Sequence, residues 1–325
     1  MAALQKTSTF NTALIAPKST IVIGLSGGPD SVYLLHKLLD LKESLGLSLL
    51  AAHLDHEWRA SSQDDVAFCK ALCLQWNVPF ITKKASELNY TFTYNGSQEE
   101  LGRAMRRFFL EEVCQEHTAD TIALAHHQDD QIETFFINLI RGSSIAGLGG
   151  IKEVDRTYVR PLLTTTKKEI LEYLKKHGIP YVTDPTNASS DYLRNRVRHT
   201  GVPALTACDA RTPKSIVKAM EHLQKTEQFL ERVTLEALRS VCLSNEHTTH
   251  TLTLNAFFSL DAYLQKRVLK KWLALQIADA RCSTAYLNEI LRFLSSGRGG
   301  KHQIAPDYVL IKKQGNAWIA SPYFF

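Results

Sequence analysis

Thr20-Ile21-Val22-Ile23-Gly24-Leu25-Ser26-Gly27-Gly28-Pro29-Asp30-Ser31 is the stretch whose reading decides the fold. Its first six residues form an apolar, β-branched run that reads as a buried strand. Residues 31–45 carry apolar side chains at 32, 34, 35, 38, 39 and 41 and read as a helix. Ser26, Gly27 and Gly28 leave backbone N–H groups free to point at an anion where that helix begins, and the helix dipole adds partial positive charge there. Pro29 fixes its φ and removes one donor, so the cradle is mostly Gly27, Gly28 and the helix start. The Walker spacing is absent. The turn suits another anion geometry, such as a pyrophosphate leaving group held by backbone donors. Asp30 opens the helix, where a carboxylate can hold Mg2+ against phosphate oxygens. For the glycines alone, an ordinary strand–helix turn is as good a reading; all six residues after an apolar strand favour the phosphate cradle.

Outward from this stretch, strands are expected at 47–54, 79–82 and 121–125, and helices at 61–76, 99–117 and 128–140. Strands alternating with helices imply parallel pairing and a doubly wound, mostly parallel α/β sheet. From Thr164 the texture changes. A helix is expected to reach His177, stopped by Gly178 and Pro180, and a polar stretch follows over 183–198. A boundary near 203–213 divides the chain into a catalytic domain, 1–210, and a second, mainly helical domain, 211–325. Helices are expected there at 214–243, 260–280 and 283–294, then a loop at 295–300 and a closing strand pair at 308–312 and 317–320.

With 325 residues the chain is long enough for one large and one smaller domain. No stretch approaches the roughly 18 uncharged apolar residues of a membrane span. The first twenty residues lack the apolar core of a secretory signal and read as a short lead-in, with a transit peptide as the alternative. Six cysteines, at 69, 73, 114, 208, 242 and 282, contain no CxxC, which argues against a zinc ribbon or thioredoxin-type pair and for a cytoplasmic protein with scattered buried thiols. The formal net charge of +5 is a mild hint of a polyanionic partner.

Other residues bear chemistry. The second expected strand ends in His53-Leu54-Asp55-His56-Glu57-Trp58-Arg59, at the sheet edge where nucleotide bases settle; His53 is a candidate base contact, and a merely polar strand end is the equal alternative. The fourth runs into His126-His127-Gln128-Asp129-Asp130-Gln131-Ile132-Glu133-Thr134. The spacing is not HExxH and no third ligand is near, which argues against zinc. Asp130 and Glu133 share one helical face and suit a ligand ammonium, or serve only to stabilise a helix start. Arg194, Arg196, Arg198 and His199 form a basic run; Lys266, Arg267, Lys270 and Lys271 recur on one side of a later helix. Such faces suit phosphate contacts, which set affinity and register but not sequence preference.

The hexapeptide from Ser26 to Ser31 resembles the SGGxDS loop of the N-type ATP pyrophosphatases, the PP-loop family. The match narrows with His127-x-Asp129-Asp130-Gln131-x-Glu133-Thr134, Arg141-Gly142-Ser143, Gly147-Leu148, the HxDH element at 53–56, Arg160-Pro161-Leu162-Leu163, Asp184-x-Thr186-Asn187 with Asp191, and Arg194-Asn195-Arg196-Val197-Arg198. In their chain order and spacing these elements resemble the tRNA(Ile)-lysidine synthase family, firmly over about 20–200. Residues 99–106 resemble that family's ExxARxxRY helix, with Gly102 for a usual Ala and Arg107 for a usual Tyr; Glu57 and Trp58 stand where Gly and Leu are usual.

The resemblance implies ATP-dependent ligation of L-lysine to C2 of the wobble cytidine, position 34, of the CAU-anticodon isoleucine tRNA. The C2 oxygen is first adenylated, pyrophosphate and AMP leave, and codon reading changes from AUG to AUA. It further implies that Ser26, Gly27, Gly28, Pro29, Asp30, Ser31 and His53 bind ATP, that Asp30 holds Mg2+, and that Arg103 and Arg194 join Asp30 in catalysis by neutralising phosphate charge. Asp130 and Glu133 would grip the lysine; Arg196, Arg198, Lys270 and Lys271, with the loop at 297–301, would hold tRNA. For Arg103 and Arg106 a solvated helix face is the alternative. A PP-loop tRNA thiolase, which needs cysteines, a PP-loop amidotransferase, and a non-catalytic nucleotide sensor are the rival functions. Oligomeric state is left open, with a homodimer as one alternative.

Overall fold

In the computed structural model, which describes residues 9–58, 62–90, 98–183, 193–244, 250–277 and 282–320, the opening strand β1 (Thr20–Gly24) lies inside a six-stranded sheet of order β3-β2-β1-β4-β6-β5. Strands β2 (Ser48–Asp55), β3 (Phe80–Lys84), β4 (Thr121–Ala123) and β6 (Tyr158–Val159) pair in parallel, and β5 (Val154–Asp155) closes one edge antiparallel to β6. Side chains alternate across a strand, and burial follows. Ile21, Ile23, Leu49 and Ala51 share one core with helices α1 (Pro29–Leu45), α2 (Ser62–Gln75) and α6 (Lys167–His177). Val22, Leu50 and Ala52 share the other with Phe109, Leu110 and Val113 of α3 (Gln98–Glu116). Helices thus cover both faces, the doubly wound arrangement expected from the strand–helix alternation.

Helix ends follow local chemistry. α1 starts on Pro29 and stops at Gly46, whose φ of 65° is left-handed. α6 starts on a capping box: Thr166 Oγ1 accepts the Glu169 N–H (3.2 Å), and the Glu169 carboxylate accepts the Thr166 N–H (2.8 Å). α4 (Gln128–Ile140) and α5 (Ile145–Leu148) follow β4, and α7 (Leu193–Arg196), a π-helical turn (Val197–Gly201) and α8 (Val202–Cys208) run end to end. α5 and the two-residue strands β5 and β6 escaped the sequence reading, since so few residues carry no period.

The chain divides into two compact units, 1–223 and 224–325, the division falling inside α9 (Thr212–Val241). The second unit corrects the expectation of helices with only one closing strand pair. α10 (Leu254–Phe258), α11 (Ala262–Ala274) and α12 (Thr284–Ser295) accompany an antiparallel five-stranded sheet of order β7-β8-β11-β10-β9. The expected closing pair is present as β10 (Tyr308–Lys313) and β11 (Asn316–Ala320), but they are inner strands. β7 (Cys242–Ser244) and β8 (His250–Thr253) are too short to show alternation, and β9 (Gly300–Ala305) begins in the Gly-rich stretch taken for a loop. Leu252, Ala317 and Ile319 bury against Phe257, Trp272 and Ile290, so sheet and helices share one core. No helix among the described residues is long and apolar enough to cross a membrane.

Candidate active site

The turn after β1 is held by serines. The Ser26 N–H donates to Ser31 Oγ (3.1 Å) and the Ser31 hydroxyl donates to the Gly28 carbonyl (3.0 Å). Gly27 has a φ of +80°, and a Cβ there would stand 3.2 Å from Cys69 Sγ and 3.4 Å from Phe68. Only glycine lets the backbone pass this close to α2 with that dihedral. The Gly27 carbonyl is used by the Val182 N–H (2.9 Å). Asp30 lies in the first turn of α1, beside the loop.

His53 sits near the carboxyl end of β2, buried, with Nδ1 2.8 Å from the Leu25 carbonyl. That contact makes Nδ1 the protonated nitrogen and leaves Nε2 an acceptor. Burial pushes its pKa down, against the pull of the Leu25 carbonyl, so the ring stays neutral.

The first turn of α4 gathers the acids. The His127 N–H donates to Asp130 Oδ2 (2.9 Å). The His127 ring lies among three carboxylates: Nε2 is 3.7 Å from Asp30 Oδ1 and 3.6 Å from Asp130 Oδ2, and Nδ1 is 3.5 Å from Asp129 Oδ2. Burial opposes protonation of that ring, but the three acids outweigh it and hold its pKa above the ordinary value. Asp130 is held down to about 2: burial raises it, and the charges of His127, His126 and Arg194 prevail. His126 is pushed down to about 4, by burial first, then by Arg160, Arg103 and Arg194 against the pull of Asp130.

Two arginines close on the acids. Glu133, its side chain 3% exposed, accepts from Arg194 Nε (2.9 Å) and from Arg198 Nε and Nη2 (2.6 and 3.0 Å). Arg194 Nη2 also reaches Asp130 Oδ1 (3.3 Å). Arg198 lies in the π-helical turn, Arg194 in α7 just before it, and both forks point at one carboxylate. π-helical turns recur at functional sites. Arg194 and Arg198 are therefore held by the acids that the sequence reading set aside for a lysine. Arg196, on the same rod, is exposed, as is Arg103 on α3.

Lys167 carried no flag in the sequence. It is the first residue of α6; its N–H donates to Asp129 Oδ2 (2.9 Å) and its Nζ lies 2.6 Å from Asp30 Oδ1. The sequence places His127 in a motif and argues against it as a zinc ligand, but does not show that it joins Asp30 to Asp130. The available signals were the Thr166 cap, which places a residue at the helix start, and a histidine next to paired acids.

In the second unit, Lys270 is exposed on α11, whereas Lys271 pairs with Glu231 of α9 and Arg267 with Glu227 (2.7 Å). Arg59, Asp184, Thr186, Asn187, Asp191 and the first eight residues lie outside the described residues.

A glycine-walled anion loop after the first strand of a doubly wound sheet, with a carboxylate at its helix start, defines a nucleotide-binding class. The sequence matches the family described as PP-loop domain over residues 2–205, and the chain belongs to that family. Within it, the chain belongs with the tRNA(Ile)-lysidine synthases. It is 37% identical to that of Bacillus subtilis (strain 168) over 254 residues, covering 77% of this chain and 54% of the relative. It is 32% identical to that of Geobacter sulfurreducens over 321 residues, covering 97% of this chain and 68% of the relative. The chain spans about half the length of the Bacillus relatives it matches. Among solved structures, the U34-tRNA thiolase NcsA of Methanococcus maripaludis superposes with a TM-score of 0.57 at 20% identity, over 67% of this chain and 75% of that one, a likeness of fold.

Proposed function

We propose that this chain ligates L-lysine to C2 of the wobble cytidine of the CAU-anticodon isoleucine tRNA, with ATP converted to AMP and pyrophosphate. One observation carries the reading: a carboxylate pair, the buried Glu133 and the largely covered Asp130, sits one histidine away from the phosphate-loop acid Asp30 and is neutralised by guanidinium groups. Buried acids with such partners form a cation site. In the ligation the cation is the ammonium of lysine, and Arg194 and Arg198 move to the phosphate charge that develops on ATP. Loop N–H groups and the start of α1 hold the phosphates, and the Nε2 acceptor of His53 faces the base.

Asp30 fits a Mg2+ that arrives with the nucleotide: one carboxylate beside the loop, the other ligands being phosphate oxygens and water. Bound there, Mg2+ would offset charge on the leaving pyrophosphate. Lys167 Nζ now holds a positive charge at that carboxylate, and in this reading it turns to the phosphates when the ion binds.

Burial pushes the thiols of Cys69 and Cys73 up to about 12 and about 11, so they supply no ready thiolate for sulfur transfer. The test is turnover with ATP, lysine and unmodified tRNA. AMP and pyrophosphate should form only with both lysine and tRNA(Ile). Asp130→Asn should raise the KM for lysine about tenfold or more, the worth of a charge-assisted hydrogen bond, and leave ATP affinity unchanged. AMP release without lysine, or an unaltered lysine KM, defeats the reading.

A further inference from the structure

Two neighbouring departures from the family pattern, Glu57 and Trp58, come together with a third far along the chain, Gly102, where Trp58 lies against it. Glu57 has a φ of 57°, the left-handed region where the family's glycine is at ease. It is held there at both ends: its N–H donates to the buried Asp55 Oδ1 (2.8 Å) and its Oε2 accepts the Ser86 N–H (3.0 Å). The turn it makes sends Trp58 across α3. The indole lies where a side chain on residue 102 would be, since a Cβ on Gly102 would stand 2.3 Å from Trp58 Cη2. The family's alanine could not coexist with this tryptophan pose. The ring stacks on His56, centroids 4.6 Å apart and planes 24° from parallel, and Arg106 Nη2 donates to His56 Nε2 (3.3 Å). Burial and the Arg106 charge keep that imidazole neutral.

The result is a fixed aromatic pair, backed on one side by His56, with the indole still 45% exposed. Arg106, which meets His56, and Arg103, next to Gly102 and one turn earlier on α3, are both exposed. It stands past the carboxyl end of β2, beyond the buried His53. A strained turn, a glycine that makes room and a half-exposed indole are more than packing needs. We propose that Trp58, stacked on His56 and flanked by Arg103 and Arg106, is a stacking platform for an unpaired nucleobase of RNA. Every base offers a π face to an aromatic ring, and guanidinium groups alongside hold the flanking phosphates. The buried His53 serves the nucleotide crevice, so the exposed indole serves the larger ligand. That the RNA is a tRNA anticodon loop rests on the function proposed above.

The experiment is equilibrium binding of an unmodified CAU-anticodon tRNA(Ile) transcript to the 325-residue protein at fixed low salt, with ATP affinity measured in parallel. Trp58→Ala should weaken RNA binding on the order of tenfold, the worth of one base stack, with ATP affinity unchanged. Trp58→Phe should keep most of the affinity. Gly102→Ala, which displaces the indole, should reproduce the loss. RNA binding unchanged in Trp58→Ala, ATP binding weakened as much as RNA binding, or Trp58→Phe as weak as Trp58→Ala would each overturn the platform. A protein that binds RNA through Trp58 but forms no lysidine overturns the proposed function and leaves the platform standing. A lysidine-forming protein indifferent to Trp58→Ala does the reverse.

Discussion

The buried His127 ring faces Asp30, Asp129 and Asp130 within 3.7 Å. Its pKa is raised on folding, so the folded chain binds that proton more tightly than the unfolded one. The stability this contributes is fully present below the unfolded value of about 6.5 and is lost as pH rises through the folded value. Urea unfolding of the chelator-treated, nucleotide-free protein should therefore show the largest gap between parent and His127→Gln near about pH 6, shrinking towards about pH 9. A gap that is flat with pH would mean that His127 acts by packing alone. At this scale Asp30, Asp130 and Glu133 were legible because acids at a helix start announce themselves in the sequence. Lys167 was not: its Nζ meets Asp30 across 137 residues of chain, and no local pattern encodes that distance.

α6 shows what an element contributes. The Thr166–Glu169 capping box fixes its first turn, and that turn delivers the Lys167 N–H to Asp129 and the Lys167 ammonium to Asp30. Thr166→Ala should cost about 1 kcal/mol in urea unfolding, the usual worth of an N-cap. Because the same turn places Lys167, a rise in the KM for ATP should accompany that loss; a stability change with ATP kinetics intact would separate the cap from the site. Long elements were readable from period alone, as α1 and α4 show. β5, β6, β7 and β8 have two to four residues each, and their strand identity comes from the neighbour they pair with.

For the whole molecule, the net charge of +5 is less informative than which cations are already paired. Arg198 is held by Glu133 and Lys271 by Glu231, while Lys270 is exposed. If the second unit contacts tRNA phosphates, Lys270→Ala should lower affinity for every tRNA alike and reduce the log–log salt slope by about 1. Lys271→Ala should do less, since its charge is partly spent on Glu231. Equal effects, or none, measured across a salt series would remove this face of α11 from the interface.

The sequence by itself determined the doubly wound sheet, the phosphate loop and the acids at the start of α4. Each rests on a local rule: β-branched runs, glycines before a helix, carboxylates one turn apart. Tertiary structure alone decided that Arg194 and Arg198 close on Glu133, that Lys167 meets Asp30, and that the second unit carries a five-stranded antiparallel sheet. It also decided that Gly102 makes room for Trp58. Those outcomes depend on which distant surfaces come within a few ångströms, where charge pairing and steric exclusion act, and no periodicity along the chain records them.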